Sequence, residues 1–380
     1  MPKPGVAVQV VTAIETVYGL RFPIGMRAWD GSRAGAPDGP VAVLRSPRAV
    51  RQLLLRPGRS GLVKAYVTGH LDIDGDFAVG LRHCRELVAH VHAQGPPGPS
   101  HWPRLIGLIA RTGVGGRRMP ADTERPTVDF PPSILDDTMA RSCGYWTSDG
   151  PEYHLSDAQH DKLDLVCRKL GLTPGMRLLD VGCGWGSLVL HAAQHYGVIA
   201  TGITVSAAQG EFVRAQAVEH GLSESVRVLR MDPRDIADGS FDAVASIETG
   251  EHVSARDYPA YCETLRRLLR PGGQLLMQQT SGGGMFTGSY MTPAIATRPV
   301  EHTLEQLRDA GLEIKDVMSM REHYVRTIDA WRHALDFNWE DVVGRVGSSR
   351  ARIWRLQLAD NALAFADEKM SVHQILAARG

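Results

Sequence analysis

The sequence predicts an α/β protein in which a doubly wound, Rossmann-like domain follows a small α+β domain. Strand and helix patterns alternate regularly after residue 130, and residues 178–188 read LLDVGCGWGSL, a glycine-rich turn between a strand and a helix. Residues 95–130 are rich in Pro, Gly and Arg, which is the composition of a linker. We therefore predict domains at 1–94 and 131–380, joined by this segment.

The N-terminal domain mixes helical and β-like patterns. We predict a first helix within MPKPGVAVQVVTAIETVYGL, because Gln9 and Glu15 interrupt the apolar run and no convincing cleavage site indicates a targeting signal. Apolar residues at helical spacing predict helices in SPRAVRQLLLRP and FAVGLRHCRELVAHVHA, and short β-like runs predict strands in PVAVLRS and AYVTGHLDID. No charged cluster in these runs suggests chemistry.

The linker contains one run of distinct composition. HWPRLIGLIARTGVGGRRM combines Trp102 with aliphatic residues, has no acidic residue, and carries Arg104, Arg111, Arg117 and Arg118. Such a run suits the surface of an anionic bilayer. A linker that packs back on the protein would have the same pattern, so both interpretations stay open.

The composition excludes several classes of protein. Lys plus Arg and Asp plus Glu number 42 each, so no global charge attracts nucleic acid. No run of about 18 apolar residues lacks charge, which predicts that the chain does not span a membrane. The cysteines are odd in number and lack metal-type spacing, which predicts reduced thiols in a cytoplasmic protein without a metal site. They are Cys84, Cys143, Cys167, Cys183 and Cys262.

The second domain begins with a regular helix pattern. SDAQHDKLDLVCRKLG has Ser156 as the predicted N-cap, Gln159 as its capping-box partner and Gly171 as the stop. The following elements are strand MRLLDVG, helix SLVLHAAQHY, strand VIATGITV, helix AAQGEFVRAQAVEHG, strands VRVLRM and FDAVASIE, helix YPAYCETLRRLLR, turn PGG and strand QLLMQQT. This alternation predicts a mostly parallel sheet with helices on both faces.

The glycine-rich turn is a predicted ligand site. Gly182, Gly184 and Gly186 follow the first strand of the sheet, where doubly wound folds bind nucleotides. Their G-x-G-x-G spacing, and the lack of an acid in TGITVS at the end of the next strand, argue against a dinucleotide. Asp180, just before the glycines, suits a ligand with an amino group or a sulfonium. S-adenosylmethionine carries both.

Five segments, taken in order, resemble one known family. They are RSCGYW, PGMRLLDVGCGWGSL, GITVSAAQ, FDAVASIETGEHV and REHYVRTIDAW. They resemble the cyclopropane-fatty-acyl-phospholipid synthase family, which includes the mycolic acid cyclopropane synthases. The stretch GLVKAYVTGHLDIDGD is similar to the small domain that precedes the catalytic domain in longer members. The resemblance covers nearly the whole chain and implies a class I methyltransferase fold for 131–380.

The resemblance also implies an S-adenosylmethionine site. The three glycines of the turn would line it, with Asp180 near the positive end of the ligand. Thr204 and Gln209 would hold the ribose in place of the missing acid. Asp232, after the strand VRVLRM, would lie near the adenine.

The chemistry of the family requires more than a cofactor site. An alkene attacks the sulfonium methyl only when the two are held in line and away from water, an orientation effect of about 7–11 kcal/mol. The attack leaves a carbocation, from which bound bicarbonate takes a proton. Loss of a proton from the new methyl group closes a cyclopropane, whereas loss of a neighbouring proton gives a methylene branch. The bicarbonate cradle of the family maps onto the backbone at Cys143, the carboxylate of Glu251, the side chain of Gln278, the backbone at Thr280 and the hydroxyl of Tyr324.

The chain departs from the family pattern at one cradle position and at one position next to the SC segment. Gln278 stands where many relatives have a histidine, and glutamine can donate a hydrogen bond but cannot titrate. Arg141 stands where a tyrosine usually precedes SC. His252 and His323, beside Glu251 and Tyr324, are alternative bases, although such histidines are more often structural.

These observations together predict an enzyme that transfers a one-carbon unit from S-adenosylmethionine to the double bond of an unsaturated acyl lipid, giving a cyclopropane with the help of bicarbonate. A methyl or methylene branch, methylation of a soluble alkene and a non-catalytic binding protein are the alternatives. We expect a cytoplasmic protein at the membrane surface, with a phospholipid substrate and no nucleic-acid partner. The oligomeric state is left open, a homodimer included.

Overall fold

The computed structural model describes residues 4–55, 58–95, 132–236, 241–283 and 296–380. The predicted linker beyond Gly95, with its arginine-bearing run, lies outside these residues. The described residues divide into two compact units. The first contains 4–95 and Leu335–Leu363, and the second contains 132–283, 296–334 and Ala364–Gly380.

The helices and strands are numbered in chain order. The helices are α1 Val6–Tyr18, α2 Pro47–Leu55, α3 Arg59–Val67, α4 Phe77–Gln94, α5 Leu155–Lys169, α6 Ser187–Tyr196, α7 Ala207–Glu219, α8 Tyr258–Leu268, α9 Val300–Asp309, α10 Arg321–Phe337, α11 Trp339–Val346 and α12 Ser348–Ala366. The strands are β1 Gly25–Ala28, β2 Arg33–Gly35, β3 Val41–Leu44, β4 Leu71–Asp74, β5 Arg177–Val181, β6 Ile199–Thr204, β7 Val226–Arg230, β8 Phe241–Ile247, β9 Leu269–Gly282, β10 Leu312–Ser319 and β11 Met370–Arg379.

The first unit is an α+β structure around a sheet of order β2-β1-β3-β4. Helices α1, α2 and α4 confirm three predictions from the sequence. The predicted strand AYVTGHLDID is wrong in its first half, because Ala65–Val67 close helix α3 and only Leu71–Asp74 form a strand. Both parts are buried, so the apolar run lacked the alternation that separates a strand from a helix.

Residues 335–363 belong to the first unit, although the sequence assigned them to the 131–380 domain. Leu356, Ala359 and Leu363 of α12 are nearly inaccessible to solvent and join the same hydrophobic cluster as Leu44 and Leu81. The first unit is therefore completed by a helix from near the C-terminus of the chain.

The second unit contains a sheet of order β10-β11-β9-β8-β5-β6-β7. Strands β5 to β9 pair in parallel, and β11 runs antiparallel to both β9 and β10. Apolar side chains alternate between the faces, with Leu178 in the cluster beneath α5, α6 and α7 and Leu179 in the cluster beneath α8 and α9. Both faces are covered, which confirms the doubly wound fold.

Helix α5 begins earlier than its sequence pattern suggested. His154 precedes its first residue, and the His154 backbone N–H donates to the Asp157 carboxylate at 2.7 Å. Ser156 lies inside the helix and donates to Asp137, so the predicted Ser156 cap is wrong. The predicted stop is confirmed, because Gly171 has a φ of +61° just beyond the helix.

No helix in the described part of the chain is long and apolar enough to cross a bilayer. All five cysteines fall within that part, and each is buried as a free thiol.

Candidate active site

The glycine-rich turn leaves β5 and enters α6 in a conformation that glycine favours. Gly182, Gly184 and Gly186 have φ values of +83°, +53° and +87°. A side chain at Gly182 would collide with Thr249 and one at Gly186 with Val213, whereas one at Gly184 would meet nothing within 4 Å. The turn is anchored because the backbone N–H groups of Gly182 and Cys183 both donate to the carbonyl of Ile203. Open space beside Gly184 fits a ligand that lies against the backbone.

Asp180 lies at the end of β5 directly before this turn. Its side chain is buried, and Oδ1 has no hydrogen-bond partner among the described residues. Burial raises the pKa of Asp180 to about 7, and the nearby Lys162 charge only partly opposes this. A buried carboxylate oxygen without a donor fits the cationic end of S-adenosylmethionine.

The other residues predicted to bind the cofactor follow the neighbouring strands. Thr204 ends β6 and donates to the Oε1 atom of Gln209, in the first turn of α7, at 2.7 Å. Asp232 follows β7, and its carboxylate accepts from the backbone and guanidinium of Arg234. Parallel pairing of β5, β6 and β7 brings these positions to one edge of the sheet. Their assignment to ribose and adenine stays a prediction.

Glu248, which the sequence did not single out, lies among the predicted site residues. It follows β8 with a φ of +49° and is half-buried. Its Oε1 accepts from the backbone N–H of Cys143 and from Nε2 of Gln278, both at 2.9 Å, and its Oε2 accepts from the Tyr324 hydroxyl at 2.8 Å. Three predicted members of the bicarbonate cradle therefore converge on one carboxylate of the chain.

Glu251 and Thr280 form a separate contact in the same part of the unit. The Thr280 backbone N–H donates to Oε1 of Glu251 at 2.7 Å, so this predicted anion donor is also engaged. Oε2 of Glu251 has no hydrogen-bond partner among the described residues. Burial and the neighbouring Glu248 charge raise the pKa of Glu251 to about 7. Two carboxylates close together favour a state in which only one is ionised.

A pair of buried amides orients Gln278. Nε2 of Gln374, on β11, donates to Oε1 of Gln278 at 3.0 Å, which leaves the Gln278 nitrogen to donate to Glu248. Both glutamines are inaccessible to solvent. This arrangement makes Gln278 a fixed donor, in place of the titratable histidine of many relatives.

Lys162, on α5, is a buried cation close to these carboxylates. Its side chain is 2% exposed, and its only described hydrogen bond is to the Ser142 hydroxyl at 3.2 Å. Burial lowers the pKa of Lys162, while the charges of Glu248, Asp136 and Asp180 raise it. The lysine therefore balances part of the negative charge that these carboxylates place inside the unit.

The pKa values of Cys143, Tyr324 and the two histidines are also shifted by burial. Burial raises the pKa of the Cys143 thiol and of the Tyr324 hydroxyl well above their usual values, so both stay protonated and Tyr324 acts as a donor. Burial lowers the pKa of His252 and His323, and Nδ1 of His323 accepts from the Trp146 backbone N–H at 3.1 Å. His323 is therefore part of the framework of the site.

The residues present do not fit a bicarbonate ion at the predicted donors. Cys143, Gln278 and Tyr324 donate to Glu248, and Thr280 donates to Glu251. The prediction from the sequence overlooked Glu248 because the resemblance supplied no carboxylate at that position. A second acid at the end of a buried strand was the available signal, since such ends meet at the ligand edge of a parallel sheet.

Comparison with known proteins now identifies the family. The family described as mycolic acid cyclopropane synthetase matches residues 127–375, well over half of the chain. A Mycobacterium tuberculosis protein named "Probable fatty acid methyltransferase" is 32% identical, with 94% of this chain and 92% of that protein covered. A Pseudomonas putida protein of the same description is 33% identical, with 95% and 93% covered.

A solved structure supports the same conclusion. The mycolic acid cyclopropane synthase CmaA1, in complex with SAH and CTAB, is 27% identical and has a TM-score of 0.62, with 65% of this chain and 92% of that chain covered. The chain therefore belongs to the mycolic acid cyclopropane synthetase family of S-adenosylmethionine-dependent methyltransferases.

Proposed function

We propose that this protein transfers the methyl group of S-adenosylmethionine to the double bond of an unsaturated fatty acyl chain carried by a phospholipid. The observation that carries this proposal is the Glu248 carboxylate, held by three donors at the same sheet edge as the glycine turn. A negative group in a partly dehydrated site stabilises the carbocation that an alkene forms when it accepts a methyl group.

The walls around this carboxylate suit an apolar substrate. The Tyr324 ring packs against Phe365 with centroids 4.7 Å apart and against Trp331 at 6.1 Å. The ligands of CmaA1, SAH and the alkyl-chain detergent CTAB, together resemble a spent methyl donor and an acyl chain. Two relatives that match over nearly their full length are named as fatty acid methyltransferases, which supports an acyl substrate.

The reaction can be written in balanced steps. An alkene carbon bonds to the donor methyl as the methyl–sulfur bond breaks, so a neutral thioether leaves and the other alkene carbon becomes cationic. If a methyl proton then leaves, the C–H electron pair closes a cyclopropane. If a hydride first moves from the methylated carbon to the cation, loss of a methyl proton gives a methylene branch. A base beside the new methyl group serves both outcomes.

We propose the branched product rather than the ring predicted from the sequence. One observation favours it: the nearly full-length relatives carry the name fatty acid methyltransferase rather than cyclopropane synthase. A ring remains the competing outcome of the experiment below.

The test is product analysis on the full chain. Purified protein, S-adenosylmethionine and vesicles of unsaturated phospholipid are incubated, and the released acyl chains are measured by mass spectrometry and NMR. We expect acyl chains heavier by one CH2 with vinylidene protons and no high-field ring protons. High-field ring protons would show that the product is a cyclopropane and would overturn the proposed branch. Modification of a free alkene but of no acyl chain would overturn the lipid assignment.

We further propose that the protein works at the cytoplasmic membrane surface, since its substrate would reside in a bilayer. The arginine-bearing run, with Arg104, Arg111, Arg117 and Arg118, supplies the cationic and apolar side chains for this contact. Replacing the four arginines by glutamine should weaken binding to anionic vesicles in a flotation assay. Equal vesicle binding by the variant and the unaltered protein would show that this segment does not make the membrane contact.

A further inference from the structure

We infer that Glu248 is a built-in proton acceptor that occupies the place of the bicarbonate ion, so that turnover needs no added anion. The inference rests on the proposed methyl transfer and deepens it, because it assigns the group that receives the proton. Its basis is the convergence of Cys143, Gln278 and Tyr324 on one side-chain carboxylate.

The hydrogen-bond pattern defines Glu248 as an acceptor. Both of its oxygens receive hydrogen bonds, from one backbone N–H, one amide nitrogen and one hydroxyl. The amide nitrogen is fixed by Gln374, and the hydroxyl belongs to a tyrosine that stays protonated. Three donors on one carboxylate favour its ionised form, which is the form that can accept a proton.

The backbone holds Glu248 in an uncommon conformation. A φ of +49° costs a non-glycine residue about 1 kcal/mol or more, and such strain persists only where surrounding contacts enforce it. The Glu248 backbone N–H donates to the carbonyl of Gln278 at 2.7 Å, which fixes the turn. The strained turn directs the carboxylate to the donors.

The surroundings make the ionised carboxylate a stronger base than a solvated one. Burial raises the pKa of Glu248, while its three donors and the Lys162 charge oppose the shift. The titratable groups that interact with it are Lys162, Glu251, Cys143 and Tyr324. In the proposed step, after the hydride shift, the C–H electron pair of the new methyl group forms the second bond of the methylene C=C, and the proton moves to Glu248.

Glu248→Gly is the variant that tests this inference. Glycine adopts a positive φ without strain, so the turn is retained while the carboxylate is deleted and the three donors are released. Glu368→Gly is a matched control, because Glu368 has a φ of +59° and its side chain is 73% exposed in an ion pair with Arg321. The control removes the same side chain from the same backbone conformation outside the site.

Methyl transfer is measured in buffer freed of carbon dioxide and again with added sodium bicarbonate. The unaltered protein and Glu368→Gly should turn over equally in both buffers. Glu248→Gly should lose about a hundredfold in kcat without bicarbonate and recover on the order of tenfold with it. Stimulation of the unaltered protein by bicarbonate, or unchanged turnover by Glu248→Gly without it, would overturn the inference.

A binding measurement keeps the inference separate from the proposed reaction. Sodium bicarbonate should raise the Tm of Glu248→Gly by about 2 °C and leave those of the unaltered protein and Glu368→Gly unchanged, with sodium chloride as the ionic-strength control. If no variant methylates a lipid but this Tm shift is seen, the proposed function fails. The inference that the Glu248 carboxylate occupies the bicarbonate position is then still supported. A bicarbonate-induced rise in the Tm of the unaltered protein would show directly that Glu248 does not occupy the bicarbonate position.

Discussion

At the scale of single residues, the site depends on carboxylates that the fold keeps away from water. Asp180 has a folded-state pKa of about 7 against a usual 3.8. Because its pKa is raised on folding, Asp180 holds a proton in the folded protein but not in the unfolded chain at pH values between about 3.8 and about 7. Stability therefore falls as pH rises through this interval and is lowest above it.

Replacing Asp180 by asparagine should stabilise the cofactor-free protein and abolish its affinity for S-adenosylmethionine. The amide is neutral at all pH values, so the stabilisation should grow from about pH 5 to about pH 8 and reach on the order of 2–4 kcal/mol. Urea unfolding at both pH values and calorimetric binding measure the two effects. Loss of stability at about pH 8 would contradict the assigned ionisation.

Gln374 is a positioning residue, two hydrogen bonds away from the reacting atoms. Replacing it by leucine frees Gln278 to rotate its oxygen toward Glu248, which weakens the ionised form and raises the pKa of Glu248. We expect kcat near neutral pH to fall about tenfold, with an unchanged KM for S-adenosylmethionine and partial recovery at higher pH. The pH profile of kcat measures this.

The control for Gln374→Leu is Gln216→Leu, since the Gln216 amide contacts only Glu219 on the outer part of α7 among the described residues. It should leave the pH profile unchanged. If kcat of Gln374→Leu fell by the same factor at every pH, the cause would be a packing defect and not a raised pKa of Glu248.

At the scale of elements, the glycine turn separates structural from ligand-contacting positions. Alanine at either Gly182 or Gly184 carries the cost of a positive φ, about 1 kcal/mol. Only alanine at Gly182 also collides with Thr249. We expect Gly184→Ala to lose affinity for S-adenosylmethionine with a Tm loss of about 2–4 °C, and Gly182→Ala to lose several degrees more because of the collision.

Thermal denaturation and cofactor titration of the two variants check this expectation. Equal losses of Tm would show that Gly184 also lies in a packed environment. Retained affinity in Gly184→Ala would place the cofactor away from this residue.

The elements also show which patterns are readable from sequence. Regular alternation of strands and helices was enough to predict β5 to β9 and the helices between them, because each pattern is local. The cap of α5 was misplaced because Ser156 and His154 are both near the start of the apolar pattern, and only the contact with Asp157 decides between them. Glu248 was missed for a different reason. Its importance comes from Cys143, Gln278 and Tyr324, which lie on distant segments of the chain.

At the scale of the whole molecule, the first unit is discontinuous in sequence. Leu356, Ala359 and Leu363 lie in its core at 1%, 1% and 5% exposure. A prediction from sequence could not include them, because an amphipathic helix does not indicate which core it joins. Residues near the two ends of the chain therefore stabilise one structure.

This discontinuity predicts that residues 1–95 do not fold as an isolated fragment. We expect circular dichroism of the fragment to show no cooperative thermal transition. In the full chain, Leu356→Ala should cost about 2–5 kcal/mol through the cavity it leaves. Ile353→Ala, at a partly buried position of the same helix, is the milder comparison. Cooperative unfolding of the fragment would show that α12 is dispensable.

The balance of charge around Lys162 has a consequence for the order of ligand exchange. Asp136, Asp180 and Glu248 all act on the buried Lys162, so carboxylates outnumber the cation there and the interior favours ligands with positive charge. The donor is a sulfonium before transfer and a neutral thioether afterwards. The neutral thioether should therefore bind less tightly than the sulfonium donor. Each completed transfer then promotes release of the thioether, and fresh donor displaces it without a separate conformational signal.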